Sequence, residues 1–238
     1  MSYPISGTEP APGDRETEAG PEIAVLLFDR ITALDAIGPY EVLSRLPGAI
    51  VRFVALEPGP QRADTGFLAL TADYGLDEVL APDIVVVPGG PGSRDLVTNT
   101  AVLDWVRTVH RTSQWTTSVC TGALILGAAG VLQGQGATTH WAALEELADF
   151  GAEPTRSRLV RAGKVLTAAG VSAGIDLGLE LADVVAGKEV ARAIQLIIEY
   201  EPAAPFDGGV HASSTPETVA RAREMLSSPF TTARPPRS

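Results

Sequence analysis

Cys120 is the only cysteine in a chain of 238 residues. Thr116-Thr117-Ser118-Val119, a β-prone run, leads into it. Thr121-Gly122-Ala123-Leu124-Ile125-Leu126-Gly127, small and apolar with helical character, leads out. The sulfur therefore falls at a strand-to-helix turn, where the first helical N–H groups have no partner inside the helix. Partial positive charge at such a turn favours an anion, and a thiolate is an anion. A lone cysteine is most often a small buried hydrophobe. The Cys120-Thr121-Gly122 step favours a reactive thiol instead, because Gly122 lets another backbone or a ligand approach closely.

Other residues complete a possible constellation. Asp35, in Thr32-Ala33-Leu34-Asp35-Ala36-Ile37-Gly38-Pro39, is well placed to cap a helix. Beside Cys120 it would instead form a coupled pair with one proton between two groups of like sign. Thiolate plus neutral acid is one allowed state of that pair, and it supplies both nucleophile and proton donor. Gly89-Gly90 follows an apolar run and reads as a tight turn or as a source of backbone N–H donors for developing negative charge. The N–H of Thr121 is a second such donor, and its hydroxyl can bind substrate or cap its own helix. Of the three histidines, His110 reads as exposed near a helix end and His211 has no evident role. His140 follows a strand and reads as a hydrogen-bonding support for the site. No pair of histidines has ligand spacing and one cysteine makes no thiolate cluster, so no metal site is expected.

The elements around these residues alternate. Residues 23–28 form a continuous apolar run, as expected for a strand buried on both faces. A helix is expected over 35–46, strands over 50–56, 68–71 and 84–87, and a helix over 95–110. The strand 116–119 and the helix 122–132 bracket Cys120. Residues 137–139 lead into a helix over 141–150, and 158–161 pairs with 164–168 about a turn at Ala162-Gly163. Helices over 172–185 and 189–200 follow, and the polar stretch 199–207 reads as a solvated helix end. Alternation of this kind implies an α/β fold with a mostly parallel sheet covered on both sides. Reactive groups then collect beyond the carboxyl ends of the strands. Loop 29–35, Gly89-Gly90 and Cys120 all end strands, and they converge if those strands are neighbours.

Composition narrows the function. A hydrophobic content of 45% in 238 residues supports one large domain over 21–226. Residues 1–20 are rich in Pro, Gly, Glu and Thr and read as a disordered tail, and 227–238 as a loose one. A formal net charge of −11, without a Lys/Arg stripe, argues against nucleic acid as a partner. One cysteine fits a reducing cytoplasm. Neither a secretory signal nor an uninterrupted membrane-length apolar run is visible.

Five segments together resemble the ThiJ/PfpI superfamily over residues 22–210, most nearly its isonitrile hydratase group. They are Leu34-Asp35-Ala36-Ile37-Gly38-Pro39, Val87-Pro88-Gly89-Gly90, Val119-Cys120-Thr121-Gly122-Ala123, Ala137-Thr138-Thr139-His140-Trp141 and Ala169-Gly170-Val171-Ser172-Ala173-Gly174-Ile175-Asp176. The resemblance implies a flavodoxin-like, doubly wound, class I glutamine amidotransferase-like fold and a homodimer. It carries the nucleophile onto Cys120 at the nucleophile elbow, the carboxyl partner onto Asp35, and backbone donation onto Gly90, Thr121 and Val171. His140 would stand behind them. The chain departs from other branches: His211 is followed by Ala212-Ser213 rather than by a His-x-Glu pattern, Thr121 replaces the histidine of PfpI-type peptidases, and Asp35 replaces the glutamate of glyoxalase-like relatives. These departures also weigh against a deglycase or amidase. The expected activity is hydration of an isocyanide to an N-substituted formamide through a cysteine thioimidate, with no cofactor. The competing expectation is a stand-alone ligand- or redox-sensing domain, similar to the N-terminal half of AraC-type regulators but ending before a helix-turn-helix region.

Overall fold

The computed structural model describes residues 20–227. Among the described residues eleven strands are formed: β1 (Glu22–Leu26), β2 (Ile50–Ala55), β3 (Gly59–Arg62), β4 (Ala69–Ala72), β5 (Tyr74–Gly75), β6 (Ile84–Val87), β7 (Trp115–Val119), β8 (Gly136–Ala137), β9 (Glu153–Pro154), β10 (Leu159–Ala162) and β11 (Val165–Ala168). The helices are α1 (Ala33–Leu43), α2 (Ser93–Leu96), α3 (Thr100–Thr112), α4 (Gly122–Ala128), α5 (Ala173–Ala186), α6 (Lys188–Ile197) and α7 (Pro216–Ser227).

Seven strands make the main sheet in the order β10-β11-β7-β6-β1-β2-β5. Every pairing is parallel except the β10–β11 hairpin. The inner order is that of a flavodoxin-like sheet, with its switch point where β1 meets β6. The fold is the one expected. β6 and β7 are buried at every residue and β1 at all but its first. That is why they read as apolar or β-branched runs without alternation. Each buried Val, Leu or Ile contributes roughly 1.5–3 kcal/mol by leaving water. α1 packs on α5, and α5 on α6, while α4 packs on α2 and α3. One core cluster runs through the sheet and both helical groups.

Several boundaries differ from the sequence reading. The helix expected over 95–110 is broken, because the Asn99 side chain accepts from Val102 N–H at 3.2 Å and starts α3 afresh. α4 stops at Ala128 ahead of Gly130, whose φ is +81°. Residues 141–150 form two short 3₁₀ turns rather than an α-helix. The hairpin of β3 and β4 stands outside the main sheet, and only its second strand was expected. α7 was not expected, and it has no buried residue. Its last residue, Ser227, was assigned to the loose C-terminal tail; the rest of that tail, and residues 1–19 of the N-terminal one, lie outside the described residues.

Candidate active site

β1, β6 and β7 are adjacent, and the loops leaving their carboxyl ends carry Asp35, Gly89-Gly90 and Cys120 to one place. The required convergence is present.

Cys120 has φ +56°, the left-handed region that a residue with a Cβ enters only under strain. Such a conformation costs about 1–3 kcal/mol and persists where neighbours over-determine it. They do so here. Cys120 N–H is shared between the carbonyls of Ala168 and Ala169 at 3.0 and 2.8 Å, and its own carbonyl accepts from Thr139 Oγ1 at 2.6 Å. Thr139, itself buried, is a support that sequence reasoning missed; it read as the end of a strand.

Asp35 is not a helix cap. Thr32 holds that position, and Asp35 is the third residue of α1, completely buried, with its carboxylate turned toward the elbow. Gly89 N–H donates to its Oδ2 at 3.0 Å, while Oδ1 has no hydrogen bond of ordinary geometry. Burial raises its pKa from 3.8 to about 7, against the opposing pull of Gly89 N–H and of the Cys120 thiol; Asp64 adds to the rise. The thiol and the carboxyl thus perturb one another directly.

Burial pushes the Cys120 thiol well above its ordinary range, and the negative charge of Asp35 adds to this. The N–H and hydroxyl of Thr121 pull the other way with smaller effect. The helix-start environment therefore does not produce a resting thiolate, contrary to the simplest sequence expectation. Desolvation outweighs the few dipoles at the start of a helix only seven residues long. The carboxyl group beside it is the group that can take up the thiol proton.

The backbone donors divide differently from the expectation. Gly90 N–H donates to Thr121 Oγ1 at 2.9 Å, and that hydroxyl lies 3.1 Å from Gly90 O. The Gly90 N–H is thus engaged in holding Thr121, where donation to substrate was expected of it. Thr121 N–H is the donor facing the sulfur. Val171 N–H has no acceptor among the described residues, and its carbonyl accepts from Gly174 N–H. Gly89, not singled out beforehand as distinct from Gly90, orients the acid. A Cβ there would stand 2.4 Å from Thr121 N and 2.9 Å from Asp35 Oδ2, so only glycine fits.

His140 is half-buried beside Gly170, and its Nδ1 accepts from Ala142 N–H at 3.4 Å. Burial, followed by the Arg94 charge, lowers its pKa and keeps the ring neutral. It follows Thr139 in the chain, and no direct effect on the thiol arises from it. His211 stacks on Trp141 with ring centroids 4.8 Å apart. His110 is half-buried rather than exposed, bonded through Nδ1 to Thr116 Oγ1 at 2.8 Å. Among the described residues no group of three His, Cys, Asp or Glu side chains can hold a metal ion, and no helix is long and apolar enough to cross a membrane.

A flavodoxin-like α/β frame with a strained cysteine elbow facing a buried carboxyl group defines the class of protein. The chain belongs to the DJ-1/PfpI family, whose pattern matches residues 21–184. It is 41% identical over 203 residues to the isonitrile hydratase of Pseudomonas putida, a match that covers 85% of this chain and 89% of that one. The crystal structure of a ThiJ/PfpI family protein from Pseudomonas syringae superposes with a TM-score of 0.84 at 30% identity, covering 97% of this chain and 96% of the other. The HTH-type transcriptional regulator GbdR of Pseudomonas aeruginosa is 31% identical over 200 residues, 80% of this chain but 54% of the regulator.

Proposed function

We propose that the protein is an isonitrile hydratase-like hydro-lyase acting on a small isocyanide without a cofactor. The observation that carries this reading is the contact of a buried thiol with a carboxyl group whose pKa is about 7. The likeness to the Pseudomonas putida enzyme, which spans most of both chains, supports the choice of substrate class.

In the reactive form the pair holds one proton. Asp35 carboxylate takes the Cys120 proton, and the thiolate attacks the terminal carbon of R–N≡C. Asp35 then returns that proton to the same carbon. The product is the thioimidate R–N=CH–S–Cys120. Asp35, again ionised, accepts a proton from water as its oxygen adds to this carbon, and the substrate nitrogen receives that proton. Thr121 N–H and Val171 N–H are the donors assigned to the charge that develops at sulfur and oxygen. Collapse of the adduct R–NH–CH(OH)–S–Cys120 passes the hydroxyl proton to sulfur and releases R–NH–CHO and the thiol. One water is consumed, and the enzyme returns to its starting state. An acid with pKa near the working pH suits both proton transfers.

The same reading takes the protein as a cytoplasmic homodimer of one α/β domain, consistent with a single free thiol. Purified protein is tested against a panel of alkyl and aryl isocyanides with direct detection of the formamide. Cys120→Ala is expected to abolish turnover, and substantial residual activity would refute covalent catalysis at this sulfur. The likeness to a transcriptional regulator favours one second reading, a ligand- or redox-sensing domain. Selective oxidation of Cys120 by peroxide, seen by intact mass, without formamide from any isocyanide, would favour sensing.

A further inference from the structure

One carboxylate outside the thiol–carboxyl pair is built into the same end of the sheet. Asp64 lies between β3 and β4, in the hairpin that stands apart from the main sheet. That hairpin is stitched to the loop leading from β1 to α1. Ile31 and Ala63 form an isolated parallel bridge, Asp64 N–H donates to Ile31 O at 2.9 Å, and Arg30 N–H donates to Arg62 O at 2.7 Å. Both Asp64 oxygens are fixed. Thr32 Oγ1 donates to Oδ2 at 2.7 Å, and Thr65 N–H donates to Oδ1 at 2.8 Å. Among the described residues, no ion pair neutralises Asp64.

Thr32 makes this arrangement informative. It is the N-cap of α1, where a threonine hydroxyl ordinarily accepts from a first-turn N–H and contributes about 1 kcal/mol. Here it makes no cap bond and is turned onto Asp64. Its backbone N–H donates to Gly89 O at 3.0 Å, and its carbonyl accepts from Asp35 N–H at 3.0 Å. The helix forgoes its own cap and tethers a negative charge within a turn of the buried acid.

We propose that Asp64 is a positioning residue of the site, whose uncompensated charge favours the protonated form of Asp35 and helps set the pH at which the thiol–carboxyl pair sheds its first proton. This rests on the reading of Asp35 as the group that handles the proton. Cys120 and Asp64 are the charged or titratable groups that act on Asp35, and the β6–α2 loop contributes the Gly89 N–H. From α5, which packs on α1, Ile175 faces Gly38, while Asp176 is bonded to Arg158 and Tyr200. Burial is the larger influence on Asp35, and Asp64 adjusts it.

Asp64→Asn removes the charge but keeps the shape, and its amide N–H can donate to Thr32 Oγ1. Two pH profiles are read on the full chain: the rate of Cys120 alkylation by iodoacetamide, and kcat/KM for an aryl isocyanide. Both rise with pH as the pair loses its first proton. In Asp64→Asn the rise is expected to reach its midpoint about half a pH unit lower, with the alkylation rate unchanged on the acid side and roughly threefold lower above the midpoint, because a more readily ionised Asp35 keeps the thiol protonated. Asp64→Glu, which retains the charge, is expected to follow the wild type. If Asp64→Asn does not fold, Asp64→Ala, which also removes the charge, is expected to show the same downward movement. An unmoved or raised limb overturns the proposal, as does a movement in Asp64→Glu equal to that in Asp64→Asn. A lowered alkylation limb with no isocyanide turnover in any form upholds the role of Asp64 and overturns the hydratase reading.

Discussion

Replacing Asp35 by asparagine separates what this acid does for chemistry from what it costs the fold. The carboxyl group is fully buried, with one hydrogen bond at Oδ2 and none at Oδ1. In the unfolded chain it ionises near 3.8, and in the folded protein near 7. Between those values the folded state holds more protons than the unfolded one, so stability falls as pH rises, and the loss is complete above the folded value. At about 1.4 kcal/mol for each tenfold change in proton affinity, the penalty reaches about 4 kcal/mol. Asparagine escapes it, although a buried amide N–H without an acceptor costs about 1–3 kcal/mol. The variant is therefore expected to be more stable than wild type by about 1–3 kcal/mol at about pH 8, and no more stable at about pH 4. For a domain of about 200 residues, each kcal/mol moves Tm by about 2–4 °C. Hydration of an isocyanide is expected to fall by about 10²–10⁴-fold, the usual contribution of a positioned acid–base group. Alkylation of Cys120 is expected to quicken, because the charge of Asp35 raises the proton affinity of the thiol. Thermal unfolding of both proteins across this pH range is the assay. A variant-minus-wild-type difference in Tm that does not grow with pH would refute the reasoning.

Two further changes probe the supports. Gly89→Ala places a methyl group 2.4 Å from Thr121 N and 2.9 Å from Asp35 Oδ2, so the loop must shift; turnover is expected to drop about 10²-fold while circular dichroism stays near wild type, and unchanged kcat would contradict the close approach. Thr139→Val leaves the Cys120 carbonyl without its 2.6 Å donor, costing about 1–3 kcal/mol in chemical denaturation and lowering kcat more than it raises KM.

What the sequence revealed follows from range. β1, β6 and β7 were legible because strands buried on both faces are mostly apolar or β-branched. Cys120 and the Gly89-Gly90 turn were legible because each follows the end of such a strand, and Asp35 because it lies where the loop leaving β1 enters α1. Thr139 and Asp64 were not, since their roles depend on contacts with Cys120 and Thr32 at distant positions. β3, with the sequence Gly-Pro-Gln-Arg, carries no apolar alternation and pairs only with β4. How the pair shares its proton was not legible, because burial, which dominates both groups, is not written in local sequence.

The reacting groups come from three separate crossings of one rigid plate, each borne on the bend where its strand leaves the sheet. The bends also brace one another, since Gly89 N–H holds Asp35 and Gly90 N–H holds Thr121. Chemistry on such a frame diverges by changing corners together, with the foundation beneath unchanged.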